Sequence, residues 1–82
     1  PDERGFFTTH LGIRLRMGQS AYPEAKNELL ALLQSDTPLN EISLYAVLCD
    51  LEICCRETED FKGAYRYTNE KVQLLEQLLK DN

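Results

Sequence analysis

Apolar residues recur at intervals of three and four along almost the whole chain, the spacing that places side chains on one face of an α-helix. No run alternates apolar and polar residues between turn signals, so the pattern predicts no β-sheet. Polar breaks divide the pattern into four segments. The sequence therefore predicts an all-α fold with helices at about residues 5–17, 21–33, 39–56 and 60–80.

The breaks contain residues that commonly end or begin helices. Gly18 suits the end of the first helix. Ser20 can cap the second helix, and Pro38 can open the third after a polar loop. We expect one domain over residues 1–82, made of a first hairpin at about 5–34, a loop at 35–40 and a second hairpin at about 41–80.

The apolar faces of the predicted helices differ in width. The third helix carries apolar residues over more than half of its circumference, which is expected of a helix contacted on two sides. The fourth has an apolar stripe whose later members have heptad spacing, and Val72, Leu75 and Leu79 among them are candidates for self-association. Alternatively, this heptad series packs only on the third helix. The stripe comprises Phe61, Ala64, Tyr65, Thr68, Val72, Leu75 and Leu79, and the heptad series within it is Tyr65, Thr68, Val72, Leu75 and Leu79.

A short pattern occurs twice in the chain, 39 residues apart. Residues 21–26 read Ala-Tyr-Pro-Glu-Ala-Lys and residues 60–65 read Asp-Phe-Lys-Gly-Ala-Tyr. In both, an aromatic residue is followed three positions later by alanine, and a helical segment follows. An internal repeat of this length is typical of helical repeat arrays, in which a helix pair stacks on another to bury an apolar face.

Two helix pairs, the second helix opening with an Asp-aromatic-x-x-Ala pattern, resemble the tetratricopeptide repeat (TPR). In the second pair Asp60, Phe61 and Ala64 match this opening, and Leu48 and Leu51 match the large apolar positions of the preceding helix. In the first pair, with one extra residue allowed in the turn, the matching residues are Leu11, Gly12, Tyr22 and Ala25.

The chain departs from the TPR pattern at three positions and in its repeat length. Glu52 stands where the family has a small residue, and Thr68 and Lys71 replace typically apolar and small residues. The offset of 39 residues exceeds the roughly 34 of a typical TPR. The extra length fits the loop at 35–40. The other fold that the pattern allows is an unrelated helical bundle.

The resemblance implies a right-handed array whose concave face, lined by the first helix of each pair, binds a protein or peptide. On that face Arg14 and Arg56 could pair with a carboxylate, and Phe7 and Met17 could supply apolar contacts. The alternative is that the arginines are solvated charges and the two apolar residues belong to the core. The expected lining residues are Phe7, His10, Arg14, Met17, Ala46, Cys49, Asp50, Ile53 and Arg56.

Charge and apolar content narrow the class of partner. The 14 acidic and 9 basic side chains give a formal charge of -5, which opposes binding to nucleic acid. No apolar run approaches the ~20 residues of a membrane span, and the N-terminus lacks the features of a signal peptide. We therefore expect no nucleic-acid partner and no membrane insertion.

The three cysteines are Cys49, Cys54 and Cys55, all in the third predicted helix. Within one helix none of them can readily bridge another, and an odd number argues against a disulfide framework. We interpret them as reduced thiols in the core, which favours a cytoplasmic location.

The chain offers few groups for catalysis. His10 is its one histidine, and the sequence contains no phosphate-binding glycine loop, no zinc-ligand motif and no nucleophile elbow. We expect no catalytic residue, no metal and no cofactor.

These observations favour a non-catalytic protein-interaction module of a larger, bacterial regulatory or signal-transduction protein. Since repeat arrays need about three repeats for stability, two hairpins also predict a homo-oligomer. The alternatives are a dimerisation or structural bundle without a peptide groove, and a non-catalytic part of an enzyme whose catalytic domain lies elsewhere.

Overall fold

The computed structural model describes residues 3–35 and 39–80, and these form four α-helices with no strand among them. Each predicted helix is present, with bounds within about two residues of those expected. The part of the loop that includes Pro38 lies outside the described residues. The helices are α1 (Glu3–Gly18), α2 (Tyr22–Leu33), α3 (Glu41–Glu57) and α4 (Phe61–Lys80).

Consecutive helices pack on one another, so the molecule consists of two helical hairpins placed side by side. α1 contacts α2, α2 contacts α3, and α3 contacts α4. The all-α, two-hairpin fold predicted from the sequence is confirmed. The breadth of the apolar surface of α3 is explained by its central place, because it packs against both α2 and α4.

The same turn closes both hairpins. Ser20 and Glu59 adopt left-handed backbone conformations, with φ of 63° and 62°. The amide of the following residue donates to a carbonyl five positions back in each case: Ala21 to Arg16 at 2.9 Å and Asp60 to Cys55 at 2.7 Å. This is the Schellman motif, which satisfies the last carbonyls of a helix. The 39-residue repeat in the sequence thus corresponds to a repeated turn geometry.

One detail of the first turn differs from the expectation. α1 ends at Gly18, as expected, but the left-handed residue of the turn is Ser20. Ser20 therefore does not cap α2; Ala21 holds that position, without a side-chain hydrogen bond. The second hairpin is better capped, because Asp60 Oδ1 accepts from the amide of Gly63 at 3.0 Å. Likewise, Asn40 caps α3 by accepting from the amide of Ser43 at 2.8 Å.

The core lies between α3 and its two neighbours. Ala25 and Ala64, the alanines of the sequence repeat, are both buried, which lets each second helix approach the first helix of its pair. Partly buried leucines of α2 extend the core. The buried apolar residues are Ile13, Ala25, Leu29, Val47, Leu48, Leu51, Cys54, Cys55, Ala64, Tyr67 and Leu74.

α4 packs on α3 through a face that lies beside its heptad series. Ala64, Tyr67 and Leu74 are buried against the core, whereas Phe61 is 67% exposed and Leu79 of the heptad series is 75% exposed. The alternative that the heptad series packs only on the third helix is therefore wrong, although Thr68 within it donates to Glu52 of α3. The stripe expected from the sequence is divided between two faces, because Ala64 is buried and Phe61 is exposed.

Candidate functional site

A buried carboxylate joins the two hairpins. Asp50 of α3 has no exposed side-chain surface, and both of its oxygens are occupied by groups from α1. His10 Nε2 donates to Oδ2 at 2.5 Å. Arg14 donates from Nη2 to Oδ1 at 3.1 Å and from Nε to Oδ2 at 3.4 Å. A buried carboxylate is tolerated only with such partners, so this cluster fixes α1 against α3.

The two partners of Asp50 differ in their access to solvent. The His10 ring is mostly buried and stacks on Phe6, with ring centroids 5.2 Å apart. The Arg14 side chain is 59% exposed, although one edge of its guanidinium is held by Asp50. The bond to Asp50 raises the pKa of Arg14, which therefore stays charged. The remaining guanidinium donors are oriented by this contact and remain open to a ligand.

Arg14 borders an open groove between α1 and α3. The groove has a volume of about 280 Å³. Its floor is apolar, from Met17 and Ile53, and the helix-terminal Gly18 leaves one side open, with no atom within 4 Å of where a Cβ would lie. One fixed cation beside an apolar floor can hold an apolar side chain and a neighbouring carboxylate. The lining residues are Arg14, Met17, Gly18, Tyr22 and Ile53.

The expected concave-face residues separate into three environments. Arg14, Met17 and Ile53 come together in the groove. Asp50 is fully buried, so it does not line a surface itself but holds His10 and Arg14 of α1. The remaining residues lie elsewhere on the two helices: Phe7 is exposed on α1, Arg56 is exposed on α3, His10 is mostly buried beside Asp50, and Ala46 and Cys49 are half-buried on α3.

Arg56 does not join Arg14 in the groove. Its Nη2 lies 3.6 Å from Glu52 Oε1, one turn back on α3, and its side chain is 58% exposed. Glu52 also accepts from Thr68 and Lys71 of α4, with Lys71 Nζ at 3.4 Å. The hydrogen bond from Thr68, together with the charge of Lys71, lowers the pKa of Glu52.

The three departures from the TPR pattern therefore contact one another. Glu52, Thr68 and Lys71 form a polar network between α3 and α4, at positions where the pattern has small and apolar residues. The polar Glu52, which stands at a position where the pattern has a small residue, is thus accompanied by polar Thr68 and Lys71, which contact it. Spacing alone did not reveal this pairing, because the three residues lie on two different helices.

A second polar contact ties α2 to the start of α4. Lys26 Nζ donates to Asp60 Oδ2 at 3.1 Å, while the other oxygen of Asp60 caps α4. The amide of Gly63, followed by Lys26, lowers the pKa of Asp60. The hydrogen bond to Asp60 in turn raises the pKa of Lys26. Both groups are therefore charged at neutral pH, and their role here is structural.

The cysteines are not placed for chemistry. Cys54 and Cys55 are buried, and Cys49 is half-buried, with all three as free thiols. Burial raises the pKa of Cys54 to about 11, so its thiol is protonated and weakly nucleophilic at neutral pH. Within residues 3–35 and 39–80, no group of His, Cys, Asp and Glu side chains is arranged to hold a metal ion.

Two groove residues were not anticipated from the sequence. Gly18 was expected to end the first helix and Tyr22 was identified only as a match to the TPR pattern, yet both line the groove. Their position follows from the Schellman turn, which brings the end of α1 and the start of α2 together beside Ile53. No periodicity in the sequence indicates this, because the two residues flank a turn.

Among the described residues, the longest stripe of exposed apolar side chains lies on α4, and we call it the α4 seam. Its residues are Phe61, Tyr65, Thr68, Val72, Leu75 and Leu79, and the five apolar members are between 41% and 75% exposed. A smaller exposed stripe on α1 consists of Phe7, Leu11 and Leu15.

Comparison of the chain with known protein families, with characterised proteins and with solved structures gives no match. In the described part of the chain, no helix has the length and apolar content needed to cross a membrane.

Proposed function

We propose that this chain is a non-catalytic, TPR-like interaction module that binds a segment of a partner protein in the groove between α1 and α3. The observation that carries the proposal is Arg14. Its guanidinium is oriented by a fully buried carboxylate, remains 59% exposed, and lies at the rim of an apolar groove. A peptide with a large apolar side chain near an acidic residue matches both features.

The repeated hairpin supports the same function. Both hairpins use one turn geometry and place an alanine of the sequence repeat in the core. Stacked hairpins of this kind create extended surfaces that bind segments of other chains. We further propose that the module belongs to a larger, bacterial regulatory or signal-transduction protein and is cytoplasmic, which suits its reduced thiols.

Selection from a displayed library of random peptides tests this function. We expect the selected peptides to place Asp or Glu within a few residues of a large apolar side chain. Calorimetry with one such peptide should show binding to wild type and loss of about tenfold or more for Ile53→Glu, which puts a negative charge in the groove. The matched control is Asn27→Glu, an exposed position on α2, which should bind as wild type does.

Selection of peptides whose affinity is unchanged by Ile53→Glu would place the binding surface outside the groove and contradict the proposal. Peptides without an acidic residue would contradict the role given to Arg14. A dimerisation module is the second candidate function, and the exposed α4 seam favours it specifically.

A further inference from the structure

The α4 seam has the spacing of a coiled-coil contact. Its six positions, Phe61, Tyr65, Thr68, Val72, Leu75 and Leu79, follow one another at intervals of 4, 3, 4, 3 and 4 residues. This is the a and d pattern of a heptad repeat. The pattern reads the same in both directions, so two copies of α4 can meet antiparallel with every seam position facing another.

The exposed area is sufficient for a weak but specific contact. From the exposed fractions of its side chains, the seam presents roughly 500 Å² of apolar surface per copy. That is near the upper end of the largest patch on a typical monomer. Two copies would bury about 1,000 Å², the lower limit for a specific protein interface.

The charges beside the seam select the antiparallel orientation. Along the solvent edge of α4, away from α3, the flanking residues are Lys62, Asn69 and Glu76. In an antiparallel pair the same edge of each helix meets, which places Lys62 of each copy opposite Glu76 of the other and the two Asn69 side chains together. On the inner edge, Lys71 is held by Glu52 of its own chain.

A parallel pair does not make these contacts. Lys62 and Glu76 lie 14 positions apart, or about 21 Å along the helix. They would remain that far apart in a parallel dimer, and they cannot pair within one chain. Only the antiparallel register brings Lys62 and Glu76 together, twice by symmetry. In a parallel pair Glu76 would face Lys71 of the other copy, which is already held by Glu52 of its own chain.

We propose that the partner of the α4 seam is a second copy of this chain, bound antiparallel across a two-fold axis. Seam positions 61, 65 and 68 of one copy contact positions 79, 75 and 72 of the other, and two Lys62–Glu76 pairs close the outer edge. This interface is separate from the groove between α1 and α3, so it does not depend on the proposed peptide binding.

Sedimentation of charge variants tests the pairing. Lys62→Glu makes both edge positions acidic, and Glu76→Lys makes both basic, so each variant alone should dimerise about tenfold more weakly than wild type. An equimolar mixture of the two variants should recover wild-type dimerisation, because every edge pair is again opposite in charge. The double variant, which exchanges the two charges within one chain, should recover it as well.

Two further variants serve as controls. Arg66→Glu has the same charge change as Lys62→Glu but lies on the side of α4 away from the seam, and should dimerise as wild type does. Val72→Asp, at an exposed seam position, should give a monomer with unchanged helix content by circular dichroism.

Three results would overturn the proposal. A wild-type monomer at several hundred micromolar would show that the seam does not bind a second copy. Assembly that grows with concentration beyond a dimer would indicate head-to-tail contact between the α4 seam and the α1 stripe. Failure of the mixed charge variants to recover dimerisation would exclude the antiparallel register.

Discussion

At the scale of single residues, two arginines with similar exposure have different roles. Arg14 and Arg56 are 59% and 58% exposed, yet Arg14 bonds a fully buried carboxylate and Arg56 bonds a carboxylate that has two other partners. Arg14→Ala would leave Asp50 with only His10, so we expect a loss of about 1 to 3 kcal/mol in unfolding free energy. Arg56→Ala should change it by less than about 0.5 kcal/mol. Urea titration measures both, and equal losses would contradict the role given to Asp50.

Two glycines are expected to respond oppositely to replacement by alanine. A Cβ on Gly63 would lie 2.4 Å from Asp60 Oδ2 and 2.9 Å from Cys55 Sγ, so it would displace the cap of α4. We expect Gly63→Ala to cost about 1 to 3 kcal/mol. Gly12→Ala, inside α1 with 3.7 Å to the nearest atom, should instead stabilise the protein by about 0.5 to 1 kcal/mol. Thermal melts of both variants provide the measurement, and stabilisation by both changes would argue against the tight contact at Gly63.

At the scale of helices, the polar network between α3 and α4 makes their contact sensitive to acid. The pKa of Glu52 is lowered in the folded state, chiefly by the hydrogen bond from Thr68. A lowered pKa contributes stability that is present above the ordinary glutamate value and is lost as pH falls through the folded value. Glu52→Gln should therefore be less stable than wild type at pH 7, with the difference disappearing as pH falls below about 4.

Urea unfolding at a series of pH values checks this. Thr68→Val should show the same convergence with wild type in acid, because it removes the largest cause of the lowered pKa. Stability differences that stay constant from pH 7 to pH 3 would show that Glu52 is not held by the network.

The existence and limits of the helices could be predicted from sequence, but the orientation of α4 could not. Three- and four-residue spacing identifies an apolar stripe by itself, and α4 contains two of similar length. Which face packs on α3 depends on contacts between the two helices: the small Ala64 permits close approach, and Glu52 of α3 contacts Thr68 and Lys71 at the edge between the two stripes. These are pairings across helices, which no local pattern contains.

The candidate site was predictable only in part for the same reason. The resemblance to TPRs implied that Arg14, Met17 and Ile53 share one face, and these three residues do line the groove. The burial of Asp50, and the position of Arg56 outside the groove, depend on how far the neighbouring helices cover each side of α3. Gly18 and Tyr22 were missed because a turn, rather than a helix face, brings them there.

At the scale of the whole molecule, α1 is the least anchored helix. Among the described residues, Ile13 is the one buried apolar side chain of α1. The helix is bonded to α3 through His10 and Arg14, which both contact Asp50. We expect hydrogen exchange to show the lowest protection in α1 and the highest in α3. Asp50→Asn should lower protection in α1 further while leaving α4 unchanged. Equal protection in all four helices would instead indicate a single cooperative unit.

The contact between Arg14 and Asp50 would couple ligand binding to the packing of the two hairpins. The guanidinium that would bind a ligand carboxylate also bonds α1 of the first hairpin to α3 of the second. A ligand that bound more tightly while Arg14 is held by Asp50 would also favour the packed arrangement of the hairpins. By linkage, separation of the hairpins would then lower the affinity for that ligand by the factor by which the ligand disfavours separation.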